Sequence, residues 1–174
     1  MPTQIILTEP DPILRKKCEP FNNVDQTVKK LMNDMLETMY KAPGIGLAAI
    51  QIGILKRAIV IDISKNNENK KPLFFINPEI IYKSKKTSTY EEGCLSLPGQ
   101  FAEIERPAEC HIKFLDYNGK SCELKADGLL ATCIQHEIDH LDGILFIDYL
   151  SKLKKTMIIK KLSKQKKSLE RIVV

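Results

Sequence analysis

The sequence predicts an α+β fold in which antiparallel strands surround a central helix and an amphipathic helix closes the C-terminus. Three observations carry this. Apolar residues recur at helical spacing near both ends and again over residues 128–141. Between the first two of these segments lie strand-like runs at 57–62, 73–77 and 79–82, separated by turn residues. Asn118-Gly119, flanked by strand-like 110–117 and 120–125, is a strong two-residue hairpin signal. Helices segregated from strands, without βαβ alternation, give α+β.

Taken in order, residues 11–17 form a short helix behind Pro10. A longer amphipathic helix runs from about Val24 to Tyr40, with Val28, Leu31, Met35, Leu36 and Met39 facing inward. The strand runs follow, with 64–72 a polar, mobile loop between the first two. Residues 128–141 contain no proline or β-branched run, Asp127 is the expected N-cap, and Gly143 sits where a helix ends in the left-handed conformation. There Leu130, Ile134, Ile138 and Leu141 make one apolar face and Cys133, His136, Glu137 and His140 a second. Both faces are expected to be buried, one in core and one in a pocket. The whole chain, 1–174, is expected to be one domain.

The second face is the most informative feature. His136-Glu137-Ile138-Asp139-His140 puts two of the chain's three histidines four residues apart, so both imidazoles can direct nitrogens at one ion. Glu137, about 100° round the helix, reaches a water on that ion. A lone histidine on a helix is ordinarily a satisfied core group, but the paired spacing with an intervening acid reads as a metal-dependent hydrolase site. Catalytic metals usually have three protein ligands. Downstream only Asp148 and Glu170 are on offer, and neither is well placed. Upstream, Cys94 in Glu91-Glu92-Gly93-Cys94-Leu95-Ser96-Leu97-Pro98-Gly99 lies in a stretch that reads as loop or strand end, and it is the better candidate. Cys18, Cys110 and Cys122 are read as small hydrophobes, and Cys133 as pocket wall one turn before His136. Such a donor set suits Zn²⁺, Fe²⁺, Co²⁺ or Ni²⁺ alike.

Gly44-Ile45-Gly46-Leu47-Ala48-Ala49-Ile50-Gln51, Glu92-Gly93-Cys94-Leu95-Ser96 and Gln135-His136-Glu137-Ile138-Asp139-His140 resemble, in the same order, the three signature motifs of the peptide deformylase family. The resemblance implies a divalent metal, Fe²⁺ in many bacteria, held by Cys94, His136 and His140. It implies water attack on the formyl carbon of an N-formylmethionyl peptide, with Glu137 accepting and returning the proton. The Gln51 carboxamide and the Leu95 backbone N–H would stabilise the oxyanion. Gly44, Ile45 and Gly46 would line the substrate pocket with Cys133, the glycines supplying a tight turn and close backbone approach. One departure stands out: Phe101 occupies a position where some bacterial members carry arginine, so side-chain contacts to substrate are open there, and Arg106 receives no role.

Gly44-x-Gly46-x-x-Ala49, with Asp62 beyond it, also satisfies a loose dinucleotide fingerprint. That motif must follow a strand and open a helix, whereas here it follows a helix. A peptidase working on internal amide bonds and a noncatalytic ribosome-associated module are the other classes considered.

Composition excludes few classes but is consistent with a soluble enzyme. No membrane span or secretory signal is visible. Five cysteines without a framework fit a reducing compartment, so a cytoplasmic, bacterial, monomeric protein is expected, or the mature form of an organellar one. Residues 151–174 hold nine Lys or Arg and one acid, and account for the net +5 of the chain. Leu150, Leu153, Met157, Ile158, Leu162 and Leu169 recur at helical spacing, so the segment reads as a helix packed on the body with a basic outer face. The resemblance implies ribosome docking through that face, which also suits RNA phosphates.

Overall fold

The computed structural model describes residues 3–65 and 69–172, with side chains described through residue 168. The expected mobile loop at 64–72 falls partly, and the Leu169 and Glu170 side chains wholly, outside the described residues. The elements are a 3₁₀ turn Pro12–Arg15, α1 (Gln26–Lys41), β1 (Gly46–Ala48), a 3₁₀ turn Ala49–Ile52, β2 (Ala58–Ile61), β3 (Leu73–Lys83), β4 (Thr87–Cys94) and β5 (Leu97–Pro107). Then come β6 (Glu109–Leu115), β7 (Ser121–Asp127), α2 (Gly128–Leu141), a 3₁₀ turn Phe146–Tyr149 and α3 (Lys152–Ile172).

Five antiparallel strands form a sheet in the order β1-β2-β3-β6-β7, and β4-β5 form a separate hairpin. The period of two along a strand decides what each face meets. Ile59 and Ile61 of β2 pack with Phe75, Ile112 and the apolar face of α2 (Ala131, Ile134, Ile138, Leu141). Ala58 and Val60 point the other way, onto Val28, Met32, Met35 and Met39 of α1. The sheet therefore lies between α1 and α2, and each fully buried aliphatic or methionine side chain stabilises it by about 1.5–3 kcal/mol. The β4–β5 hairpin also contacts α2, so strands surround this helix as the sequence predicts.

Several local expectations are corrected. α1 starts at Gln26 because the Asp25 carboxylate accepts the Val28 N–H at 3.0 Å. Met32 joins its buried face, while Leu31 and Leu36 are only half-buried. The runs 73–77 and 79–82 are one strand with a register shift between Ile76 and Glu79. Pro78 has no N–H to lose there, and Asn77, at φ +51°, grips the Phe21 backbone through both atoms of its carboxamide. The β4–β5 hairpin extends strand structure over residues read as loop. Asp127 occupies the N-cap position of α2, but its carboxylate makes no capping bond. Gly143 does adopt φ +75°, and a Cβ there would lie 2.4 Å from the Arg15 carbonyl oxygen.

α3 packs through Leu162, Ile158 and Ile159 onto a cluster of Leu97, Ile104, Leu145, Phe146 and Ile147. Leu153 and Met157, expected inward, are 71% and 50% exposed. Among the described residues α3 packs chiefly on the preceding turn and β5, which leaves these two side chains uncovered. Cys122 is likewise not core, but half-buried near Asp116. Among the described residues no helix is long and apolar enough to cross a membrane.

Candidate active site

Cys94 ends β4, and the hairpin tip passes through Leu95 and Ser96 before β5 begins. The tip sits over the polar face of α2, so strand end and helix deliver their donors to one point. Cys94 Sγ lies 3.3 Å from His140 Nε2, which is 3.2 Å from His136 Nε2. All three ligand atoms fall within 4.8 Å of one another. Donors on a tetrahedral ion at ~2.0–2.3 Å sit about 3.3–3.8 Å apart, so the set fits a divalent metal. The sulfur also accepts the Ser96 N–H at 3.4 Å and the Gln51 Nε2–H at 3.5 Å.

Gln51, on the 3₁₀ turn after β1, is fixed in orientation. Its Oε1 accepts the Ala48 N–H at 2.9 Å, and its Nε2 donates to Ser96 Oγ at 3.1 Å. The amide donor thus faces the site. Glu137 is 5% exposed and its Oε2 has no hydrogen-bond partner among the described residues. Burial pushes its pKa up to about 7, with the Glu92 charge adding and the His136 charge opposing. Gly46 is required beside it, since a Cβ there would stand 2.5 Å from Glu137 Oε1. A Cβ at Gly44 would likewise press on the Leu95 side chain. The glycines therefore serve close approach, and neither adopts the positive φ of a tight turn.

A cavity of about 400 Å³ opens from this point, lined by Gly44, Ile45, Gly46 and Cys133, the residues expected to form a pocket, together with Gln51 and Leu95, expected to be oxyanion donors. Tyr90, Phe101 and Leu129 line it too. Phe101 is 64% exposed at the rim, its ring laid over Gly93. Burial, then the Glu137 and Glu92 charges, push the Cys133 thiol up to about 12, so it is neutral wall. Asp148 is no ligand: it pairs with Arg15 at 2.6 Å and Lys155 at 2.7 Å.

Sequence reasoning missed the groups behind the ligands. Glu92 Oε1 lies 2.8 Å from His136 Nδ1, leaving Nε2 for the site. Arg106, only 4% exposed, donates to both Glu92 oxygens (2.7 and 3.0 Å) and to Asp139 at 2.8 Å. Burial alone would raise the Glu92 pKa. The hydrogen bonds from His136 and Arg106 outweigh it and hold the carboxyl below its ordinary range. Glu92 stands two residues before Cys94, the strand spacing that puts both on one face. That was the available signal.

The family profile described as polypeptide deformylase matches residues 3–156. A relative from Pelagibacter ubique, named peptide deformylase, is 64% identical over 174 residues, all of both chains. The chain belongs to the peptide deformylase family. It is therefore an enzyme of that family, whose members are metal-dependent hydrolases. Solved peptide deformylases share the fold. One from Ehrlichia chaffeensis superposes with a TM-score of 0.91 at 41% identity, covering 96% of this chain and 98% of that one. One from Legionella pneumophila gives 0.90 at 44% identity, covering 98% and 99%. A further Ehrlichia chaffeensis peptide deformylase structure is in complex with actinonin.

Proposed function

We propose that this chain, acting as one monomeric catalytic domain over residues 1–174, hydrolyses the formyl group from N-formylmethionyl nascent peptides and releases formate. The observation that carries the reading is the convergence of three metal-type donors beside the buried Glu137 carboxylate, whose Oε2 has no hydrogen-bond partner among the described residues, on the wall of a cavity. Cys94, His136 and His140 hold a divalent ion, Fe²⁺ natively, with Zn²⁺, Ni²⁺ or Co²⁺ as substitutes. Once bound, such an ion would supply Lewis-acid chemistry to the formyl oxygen and to water.

The chain's own residues do the rest. Glu137 takes the proton of the attacking water at its carboxylate and returns it to the leaving amine nitrogen as the C–N bond breaks. The Gln51 Nε2–H and Leu95 N–H donate to the developing oxyanion. Each such donor is worth about 10²–10³-fold in rate. Gly44, Ile45, Gly46 and Cys133 shape the apolar pocket for the methionine, whose flexible thioether fills irregular space.

We assign cytoplasmic work at the ribosome, with the exposed lysines of α3, among them Lys160, Lys161, Lys164 and Lys167, facing RNA phosphate. Formate release from formyl-Met-Ala-Ser tests the reaction. Turnover that a chelator abolishes and Fe²⁺ restores is expected. Cleavage of internal amide bonds without formate release would overturn it.

A further inference from the structure

We infer that Tyr149 is a positioning residue for His136, acting through Asp139, Arg106 and Glu92. The inference rests on the reading of His136 as a metal ligand and extends it to the turn that launches α3.

The chain of contacts is continuous and each acceptor in it is shared. Glu92 Oε1 serves both His136 Nδ1 at 2.8 Å and Arg106 Nη2 at 3.0 Å, so the place of the guanidinium sets the place of the imidazole's partner. Asp139 Oδ2 in turn serves both Arg106 Nη1 at 2.8 Å and the Tyr149 hydroxyl at 2.7 Å. A guanidinium this deeply buried depends on every partner staying in place. Glu92, which takes two of the three hydrogen bonds, is held within the core of the site. The outermost, Asp139, lies nearer solvent, its side chain 16% exposed against 5% for Glu92. Tyr149 is what holds it.

Tyr149 makes a second contact with the same charge, its ring lying 4.8 Å from the Arg106 guanidinium carbon. One side chain thus anchors the carboxylate that pairs with Arg106 and covers the cation itself. The same 3₁₀ turn, Phe146–Tyr149, presents Phe146, whose ring stacks on His136 at 6.2 Å and 25°. The turn therefore constrains the ligand histidine from two directions, by its face and through its Nδ1 partner. Partners of a ligating imidazole fix its tautomer and orientation, and losing one costs about 10–100-fold in metal affinity. Tyr149, at the end of the relay, is half-exposed, and its phenol donates at neutral pH as an ordinary tyrosine does.

The test uses the full chain loaded with Co²⁺, whose visible absorption reports ligand geometry, and follows its loss to excess chelator. Tyr149→Phe keeps the ring over Arg106 and removes only the hydroxyl. Tyr149→Leu removes both contacts, and Met157→Ala is an exposed control on α3. We expect Tyr149→Phe to release Co²⁺ several-fold faster, and Tyr149→Leu faster still, by about 10-fold or more. Both should show an altered Co²⁺ spectrum and a lowered kcat at little-changed KM, and Tyr149→Phe should keep its melting temperature. Wild-type retention and spectrum in Tyr149→Phe would overturn the inference while leaving the metal site standing. Failure of the wild-type chain to bind Co²⁺ at all would overturn the metal site as well.

Discussion

Gly46 and Glu137 show how little room surrounds the carboxylate proposed to react. The Gly46 backbone lies where a side chain would touch Oε1 at 2.5 Å, so Gly46→Ala must push Glu137 aside. A displacement near 1 Å at a reacting group can cost about 10²-fold in rate. The expected outcome is a kcat lowered by about that factor with full metal content, measured by single-turnover kinetics and metal analysis. An unchanged kcat would remove Glu137 from the reaction. At this scale the sequence was most legible where chemistry needs a short spacing along one element. His136, Glu137 and His140 share a helix, so their convergence follows from helical geometry alone. Glu92 and Arg106 were harder to read, because their pairing depends on the register of β4 against β5, and Arg106 sits opposite Ser88 in that register.

The β4–β5 hairpin was the least legible element, and its composition explains why. Its inward positions in β4 are Ser88, Tyr90 and Glu92, so the alternation is present but is not apolar, and the hydrophobic signal of a half-buried strand is missing. Function displaced pattern there. α1, β2 and α2 were legible because ordinary apolar residues face ordinary core. α3 was half-legible: its length and basic character were readable, but which apolar stripe packs depends on the narrow surface offered by the Phe146–Tyr149 turn and β5. Leu153 and Met157 consequently stay outside with the lysines. Replacing Lys160, Lys164 and Lys167 with Glu changes the local charge by six. It should reduce co-sedimentation with ribosomes at low salt at least 10-fold, since phosphate contacts dominate such affinity, with turnover of a short formyl peptide little altered. Unchanged co-sedimentation would refute docking through this helix.

For the whole molecule, the architecture explains why a small site can be held so firmly. The sheet between α1 and α2 fixes one side of the metal helix, and the hairpin closing over the other side brings Cys94 to it. If Cys94, His136 and His140 are the ligands proposed above, donors from two elements meet only when both packings are complete, and metal binding would then be coupled to folding. The fold class followed from the sequence because helices and strands are segregated along the chain. The order in which the five strands lie side by side did not, since pairing of β3 with β6 across the inserted hairpin is a long-range choice. The central claim is that a metal at Cys94, His136 and His140 works together with the Glu137 carboxylate to hydrolyse the formyl bond. The measurement that tests it most directly is formate release by Glu137→Ala loaded with Fe²⁺ under anaerobic conditions, with bound metal quantified in the same sample. The account predicts full metal content and turnover lowered by at least about 10²-fold; near-normal turnover with metal bound would contradict it.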